Sequence, residues 1–257
     1  MDGVVVTAAI SVLLVAFIFS MFGQGGGSLY TPILFLLGFA TSTSVSTSLV
    51  LNLFTALTAT VVYYRSGLVG LRQASVFVPG IIAGSLIGGA LSESVDPDLL
   101  MWLFVAFLVG AGARMLYTYW EKGTEEGGRP TPFTRRLVAV IVAFSFGVGI
   151  LSGLLGVGGG ILIVPFLIFG CKYPVKHSAG AAAYIVVFSS LFGVIGHSAV
   201  GQLDLGLIAA TSIAVLIGAV LGASLTTRTK PRMIKAGFGL IMLVFAVQLI
   251  LRLTGSI

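Results

Sequence analysis

The chain is short of charge, of cysteine and of histidine. Only 9% of its 257 residues are Asp, Glu, Lys or Arg, while 57% are hydrophobic, and the mean hydropathy is +1.13. A soluble domain with that composition would lack the charged shell that keeps it in water. The single cysteine, Cys171, excludes an internal disulfide framework. With no CxxC pair and no His/Cys cluster, neither a metal nor an iron–sulfur centre is expected. No cofactor is expected either, because neither glycine-rich run is followed by the GK[ST] of a nucleotide-phosphate loop. The net charge of +6 sits on Lys and Arg at the ends of apolar segments, the pattern of a topology signal rather than of a nucleic-acid surface.

What is present in abundance is uncharged apolar sequence. Residues 3–64 and 137–171 contain no charged side chain, so they can lie in hydrocarbon without burying an ion. The runs are continuous rather than alternating over about 10 positions, which selects helices over a membrane barrel. The reading is an all-α integral membrane protein. Apolar segments lie at 3–22, 28–39, 42–64, 73–91 and 97–118, then at 135–155, 161–170, 175–199, 205–226 and 231–254. Residues 3–22 have no basic lead-in and no A-x-A site near their end, so they read as a structural helix rather than a cleaved leader.

The two sets of segments correspond. Gly23, Gly25, Gly26, Gly27, Leu29 and Pro32 of "FGQGGGSLYTP" match Gly156, Gly158, Gly159, Gly160, Leu162 and Pro165 of "GLLGVGGGILIVP". Further on, Gly84, Gly88, Leu91 and Pro97 match Gly218, Gly222, Leu225 and Pro231. Such a shared order points to an internal duplication: a first transmembrane repeat at 1–118, a linker at 119–134 rich in Gly, Pro and charge, and a second repeat at 135–257. Corresponding loops carry opposite signs. Arg65 and Arg72 face Asp204, and Glu93, Asp96 and Asp98 face Arg228, Lys230 and Arg232. Because Lys and Arg favour the cytoplasmic side, the repeats are expected to be inverted, with about five helical segments each, a cytoplasmic linker and external termini. Segments 28–39 and 161–170 are too short to cross alone, and each reads as a half-helix after a glycine-rich break.

Three successive glycines weaken a helix by roughly 1 kcal/mol each, so the duplicated run calls for a compensating role. Glycine breaks expose backbone N–H groups, which a bilayer tolerates only inside protein or beside a wet cavity. A helix starting there presents N–H donors to an anion. The expected anion-binding residues are Gln24, Gly25, Gly26, Gly27 and Ser28 with Gly158, Gly159, Gly160 and Ile161. Gln24 adds an amide where the second copy has Val157. Asn52 and the aligned Tyr184 are candidate lining residues. Arg65 and His197, equivalent positions at helix ends, are candidates for gating or coupling. The run 41–48 is expected to cap the following helix, and Gly84, Gly88, Gly218 and Gly222 to allow close helix packing.

The paired "GQGGGSLYTP" and "GVGGGILIVP" strings, with "GHSAVGQLD" and "GAVLGASL" further on, resemble the sulfite exporter TauE/SafE family, also called the 4-toluene sulfonate uptake permease family. The resemblance covers essentially the whole chain. It implies a carrier of the bacterial cytoplasmic (inner) membrane moving sulfite, organosulfonates or related small anions, and it does not choose among them. No Asp or Glu is expected to be buried in a span to carry a proton, which favours export along the membrane potential. An anion channel, or an uptake permease for another small organic anion, is the alternative. A membrane serine enzyme is disfavoured, since there is no GxSG string and the adjacent His197 and Ser198 point apart on a helix. Homo-oligomerisation through lipid-facing surfaces stays open at this stage.

Overall fold

The computed structural model describes residues 2–91, 97–120, 134–155, 158–197 and 204–254. Among them the chain is helical throughout, with no strand. Its elements are α1 (Asp2–Ser20), α2 (Gly27–Leu36), α3 (Thr41–Arg65), α4 (Leu71–Ala74), α5 (Val78–Ala90), α6 (Pro97–Trp120), α7 (Arg135–Leu155), α8 (Gly160–Pro165), a π-helical turn (Phe166–Gly170), α9 (Val175–His197), α10 (Leu205–Arg228) and α11 (Pro231–Leu253). Five of these are long and apolar enough to cross a membrane. Most of linker 119–134, the acidic loop 92–96, and Gly156 with Val157 lie outside the described residues.

The expected segments appear with two differences. Segment 73–91 is divided into α4 and α5, because Pro79 has no N–H to donate and belongs in the first turn of a new helix. The Ser/Thr run does not cap α3: the cap position is Ala40 and no side chain bonds there. Ser44 and Ser48 instead donate to the Phe39 and Gly27 carbonyls. The two short segments are short as expected. At 1.5 Å per residue, the 10-residue α2 covers roughly 15 Å of a core about 30 Å thick.

Contacts along the helices give their directions. Leu49 meets Gly193, Asn52 meets Ser190 and Tyr63 clusters with Ala179 and Ala183, so α3 and α9 are antiparallel. Ser85 bonds Ser189 and Gly89 abuts Gly196, which makes α5 parallel to α9. Gly80, Gly84 and Gly88 lie successively on Ser145, Phe146 and Ile150, so α7 is parallel to α5; Gly218 and Gly222 lie on Leu13 and Phe17, so α10 is parallel to α1. Ala8 joins Leu34 and Leu207 at one end, and Tyr63 reaches Ser20 and Met21 at the other. Thus α1, α3 and α10 run one way, and α5, α7 and α9 run the other. The largest contacts cross between halves, α1 on α10 and α7 on α5, while α3 and α9 pack together centrally and α6 meets α11.

The four expected packing glycines sit at these crossings. A methyl group at Gly84, Gly88, Gly218 or Gly222 would overlap the carbonyl oxygens of Phe146, Ile150, Leu13 and Phe17 respectively. Leu13 and Phe17 precede Phe146 and Ile150 by 133 positions, the spacing of the glycine runs themselves.

The helix directions also sort the charges. Arg65, Arg72, Arg135, Lys172, Lys176, Arg228, Lys230 and Arg232 gather at one end of the bundle, whereas Asp2, Asp98 and Asp204 lie at the other. At the basic end, Lys176 donates to the Thr227 carbonyl at the C-terminus of α10 (2.8 Å), where a cation is favoured. Between the π-helical turn and α9, burial pushes the Cys171 thiol up to about 11. Burial, then the neighbouring Cys171, push the Tyr173 phenol up to about 12. A raised thiol pKa means less thiolate at pH 7.4, by about 100-fold for two pH units. Maleimide is therefore expected to label Cys171 about 100-fold more slowly in native than in denatured protein. Equal rates would place the thiol in water.

Candidate functional site

The first glycine run is a termination followed by a fresh start. Gly23 at φ +68° ends α1, with Gly23 N–H on the Ser20 carbonyl and Gln24 N–H on that of Phe19, both 3.1 Å. This is the paired closing geometry that a left-handed glycine permits. Gly25 at φ +78° then redirects the chain, and Gly26 is the cap position of α2. Irregular backbone at bilayer depth must find partners in the protein, and two other helices, α3 and α10, supply them. The Tyr63 hydroxyl of α3 faces the Ser20 and Met21 carbonyls at 2.7 and 3.0 Å. From α10, Thr226 donates to Met21 O at 2.7 Å.

Asn52 holds the start of α2. Fully buried, it accepts at Oδ1 from Gly26 N–H (2.5 Å) and Gly27 N–H (3.0 Å), and donates from Nδ2 to Ser190 Oγ on α9 (2.6 Å). The glycines make room for it: a methyl at Gly25 would overlap its Oδ1, and one at Gly158 its Nδ2. Asn52 therefore lies between the two breaks and ties α2, α3 and α9 together. The two N–H groups that the sequence reading offered to an anion are bonded to Asn52 instead.

Gln24 is the polar group left over. It is 2% exposed, and neither its Oε1 nor its Nε2 has a hydrogen-bond partner among the described residues. Its backbone abuts Gly160 of the second break, so the breaks touch at this residue. On α3, Ser46 Oγ and Thr47 Oγ1 are likewise buried without a partner among the described residues. A buried amide with nothing to bond costs free energy that a bound polar group restores.

The remaining candidates are scattered. Gly158 and Gly159 adopt left-handed φ values of +80° and +68°, and Gly159 receives no side-chain cap. Ile161 is packed in the apolar core, and Ser28 is half-buried at the start of α2. Tyr184 bonds Ser75 Oγ through its hydroxyl (3.3 Å) and sets its ring edge-on to Phe188, so it is not brought to Asn52. Arg65, exposed at the end of α3, and His197, the last residue of α9, occupy opposite ends of the bundle; the His197 side chain lies outside the described residues. Sequence reasoning missed Ser190, Tyr63 and Thr226, as well as a hydroxyl chain in which Ser189 bonds both Ser152 (2.6 Å) and Ser85 (3.3 Å). The pair Ser189–Ser190 in mid-segment was the available signal. Nothing in the sequence marks Tyr63 or Thr226.

The sequence is similar to those of several known proteins along most of its length. "Probable membrane transporter protein YunE" of Bacillus subtilis (strain 168) is 25% identical, over 90% of this chain and 92% of the relative. A "Probable membrane transporter protein" of Xylella fastidiosa (strain 9a5c) is 26% identical over 95% and 94%, and "Probable membrane transporter protein YdhB" of Bacillus subtilis (strain 168) is 26% identical over 83% and 86%. No solved structure matches the chain significantly. The sequence model of the sulfite exporter TauE/SafE family matches residues 8–249, nearly the whole described bundle. With its multi-pass helical fold and its relatives, the chain belongs to the sulfite exporter TauE/SafE family of membrane transporters.

Proposed function

We propose that this transporter exports a small sulfur oxyanion, sulfite or an organosulfonate, and that the anion binds between the two glycine breaks against the Gln24 carboxamide. The observation that carries the reading is Gln24, a buried amide without a partner among the described residues, where the breaks meet. Asn52 Nδ2, which faces Gly158 and uses one of its two hydrogens on Ser190, supplies a second donor with the other. Neutral donors suit a carrier, because they bind an anion without the tight ion pair that would hinder its release.

The opposed directions of α1 and α7, α3 and α9, and α5 and α10 support an inverted two-repeat architecture, in which the substrate site lies near the midplane between repeats. The basic end is then cytoplasmic and both termini external, in the inner membrane. Among the described residues no Asp, Glu, Lys, Arg or His is buried, which favours movement of a monovalent anion down the membrane potential, worth about 2.3 kcal/mol per 100 mV.

The test is flux of labelled sulfite, with organosulfonates in competition, in proteoliposomes of the wild type and of Gln24→Leu. We expect saturable flux that falls at least about tenfold in the variant, as loss of one good hydrogen-bonded contact implies, with an unchanged gel-filtration profile. Full flux through folded Gln24→Leu would remove Gln24 from the site.

A further inference from the structure

We infer that, where the cargo is sulfite, it is taken as the singly protonated monoanion, hydrogensulfite, and that the sulfite and sulfate dianions are refused. The inference rests on the cargo reading above and deepens it. Both ends of the Gln24 carboxamide lack a partner among the described residues. Nε2 presents donors, but Oε1 presents an acceptor with two lone pairs. An oxyanion with only ionised oxygens satisfies the first and is repelled by the second. A monoanion with one ionised and one protonated oxygen satisfies both, the ionised oxygen accepting from Nε2 and the protonated one donating to Oε1.

Charge points the same way. The desolvation cost of an ion grows with the square of its charge, and among the described residues no buried cation offsets it. Lys and Arg residues with described side chains lie toward the basic end of the bundle or its rim, from Arg65 on α3 to Lys235 near the start of α11. Besides Arg65 and Arg228 at the basic end and Asp2 at the other, the titratable side chains within the elements around the break are four phenols, of which that of Tyr64 is exposed near the end of α3, two imidazoles and Lys176. Tyr30 bonds Thr55, Tyr63 bonds the α1 carbonyls, and Tyr184 bonds Ser75. His177 and His197 sit at opposite ends of α9, and Lys176 is held by Thr227 O. Among the described residues none of these meets the Gln24 amide.

The experiment measures initial flux of labelled sulfite and of labelled methanesulfonate in proteoliposomes at equal internal and external pH, from 6 to 9, at fixed total concentration. Methanesulfonate does not titrate in this range, so a titration of the protein would appear in both fluxes and a titration of the cargo in sulfite alone. We expect sulfite flux, taken relative to methanesulfonate flux, to fall by about tenfold per pH unit once sulfite is mostly dianionic, following the protonated fraction, and excess sulfate not to compete. In Gln24→Met, which keeps the length and removes both polar atoms, residual sulfite flux should lose its advantage over methanesulfonate. A ratio independent of pH or rising with it, or competition by sulfate, would overturn the inference while leaving an oxyanion carrier in place. Absence of both fluxes at every pH would overturn the cargo reading itself.

Discussion

Replacing Asn52 with leucine is expected to be the most damaging single change at the centre of the bundle. The substitution removes the acceptor for Gly26 N–H and Gly27 N–H and the donor to Ser190, leaving two backbone donors stranded where no water reaches. At about 1–3 kcal/mol for each orphaned donor, the loss is about 2–6 kcal/mol, or a fall in Tm of roughly 10 °C for a chain of this size. Asn52→Asp separates folding from transport. A carboxyl oxygen still accepts from the two N–H groups, so more of the stability is retained, but a negative group beside the proposed anion position should abolish flux. Thermal unfolding in detergent and sulfite flux measure the two effects. If Asn52→Leu melted with the wild type, the start of α2 would be held by something other than Asn52. If Asn52→Asp transported normally, the anion would bind elsewhere.

The second large effect belongs to the helix crossings. At Gly222 any side chain would meet the Phe17 carbonyl and Ser20 Oγ, and at Gly84 the Phe146 carbonyl and the backbone of Gly149. These obstacles are mostly main chain and cannot rotate away. Gly222→Leu and Gly84→Val are expected to prevent assembly altogether, since α1 and α10, or α5 and α7, would have to separate along their length. Gly147 is the control. It lies on α7, exposed, with nothing near its Cα to obstruct a methyl, so Gly147→Ala should assemble normally and gain about 0.5–1 kcal/mol from reduced backbone freedom. Gel filtration of the three variants decides the matter. A monodisperse Gly222→Leu protein with wild-type stability would mean that α1 and α10 do not approach as closely as described.

Much of this fold could be read from residue order, because a bilayer leaves the chain few choices. Uncharged runs became helices, Pro97 and Pro231 opened α6 and α11, and the glycines of "GQGGG" became the end of α1 and the start of α2. The site was legible only in part. Gln24 stood out as an amide among glycines, and Asn52 as a polar residue in an uncharged span. That Asn52 would spend its oxygen on Gly26 and Gly27 depended on how α3 comes to lie beside the break, which local sequence does not encode. The partners that complete α1 are more distant still: Tyr63 is 42 residues from Met21, and Thr226 is 205. Pairing Asn52 with Tyr184 by alignment failed for a related reason. The side chains differ in length, and Tyr184 reaches past the centre to Ser75.

The exchange of partners between halves bears on how the protein is made. α1 leaves the ribosome some 185 residues ahead of α10, on which it packs most extensively, and α5 likewise must wait for α7 on the far side of the linker. Neither half can complete itself during synthesis. Until α10 is in the bilayer, the carbonyl of Met21 has no Thr226 and the face of α1 that will receive Gly218 and Gly222 meets only lipid. The two halves of the chain are therefore not a pair of finished modules but two incomplete ones, each completed by helices of the other.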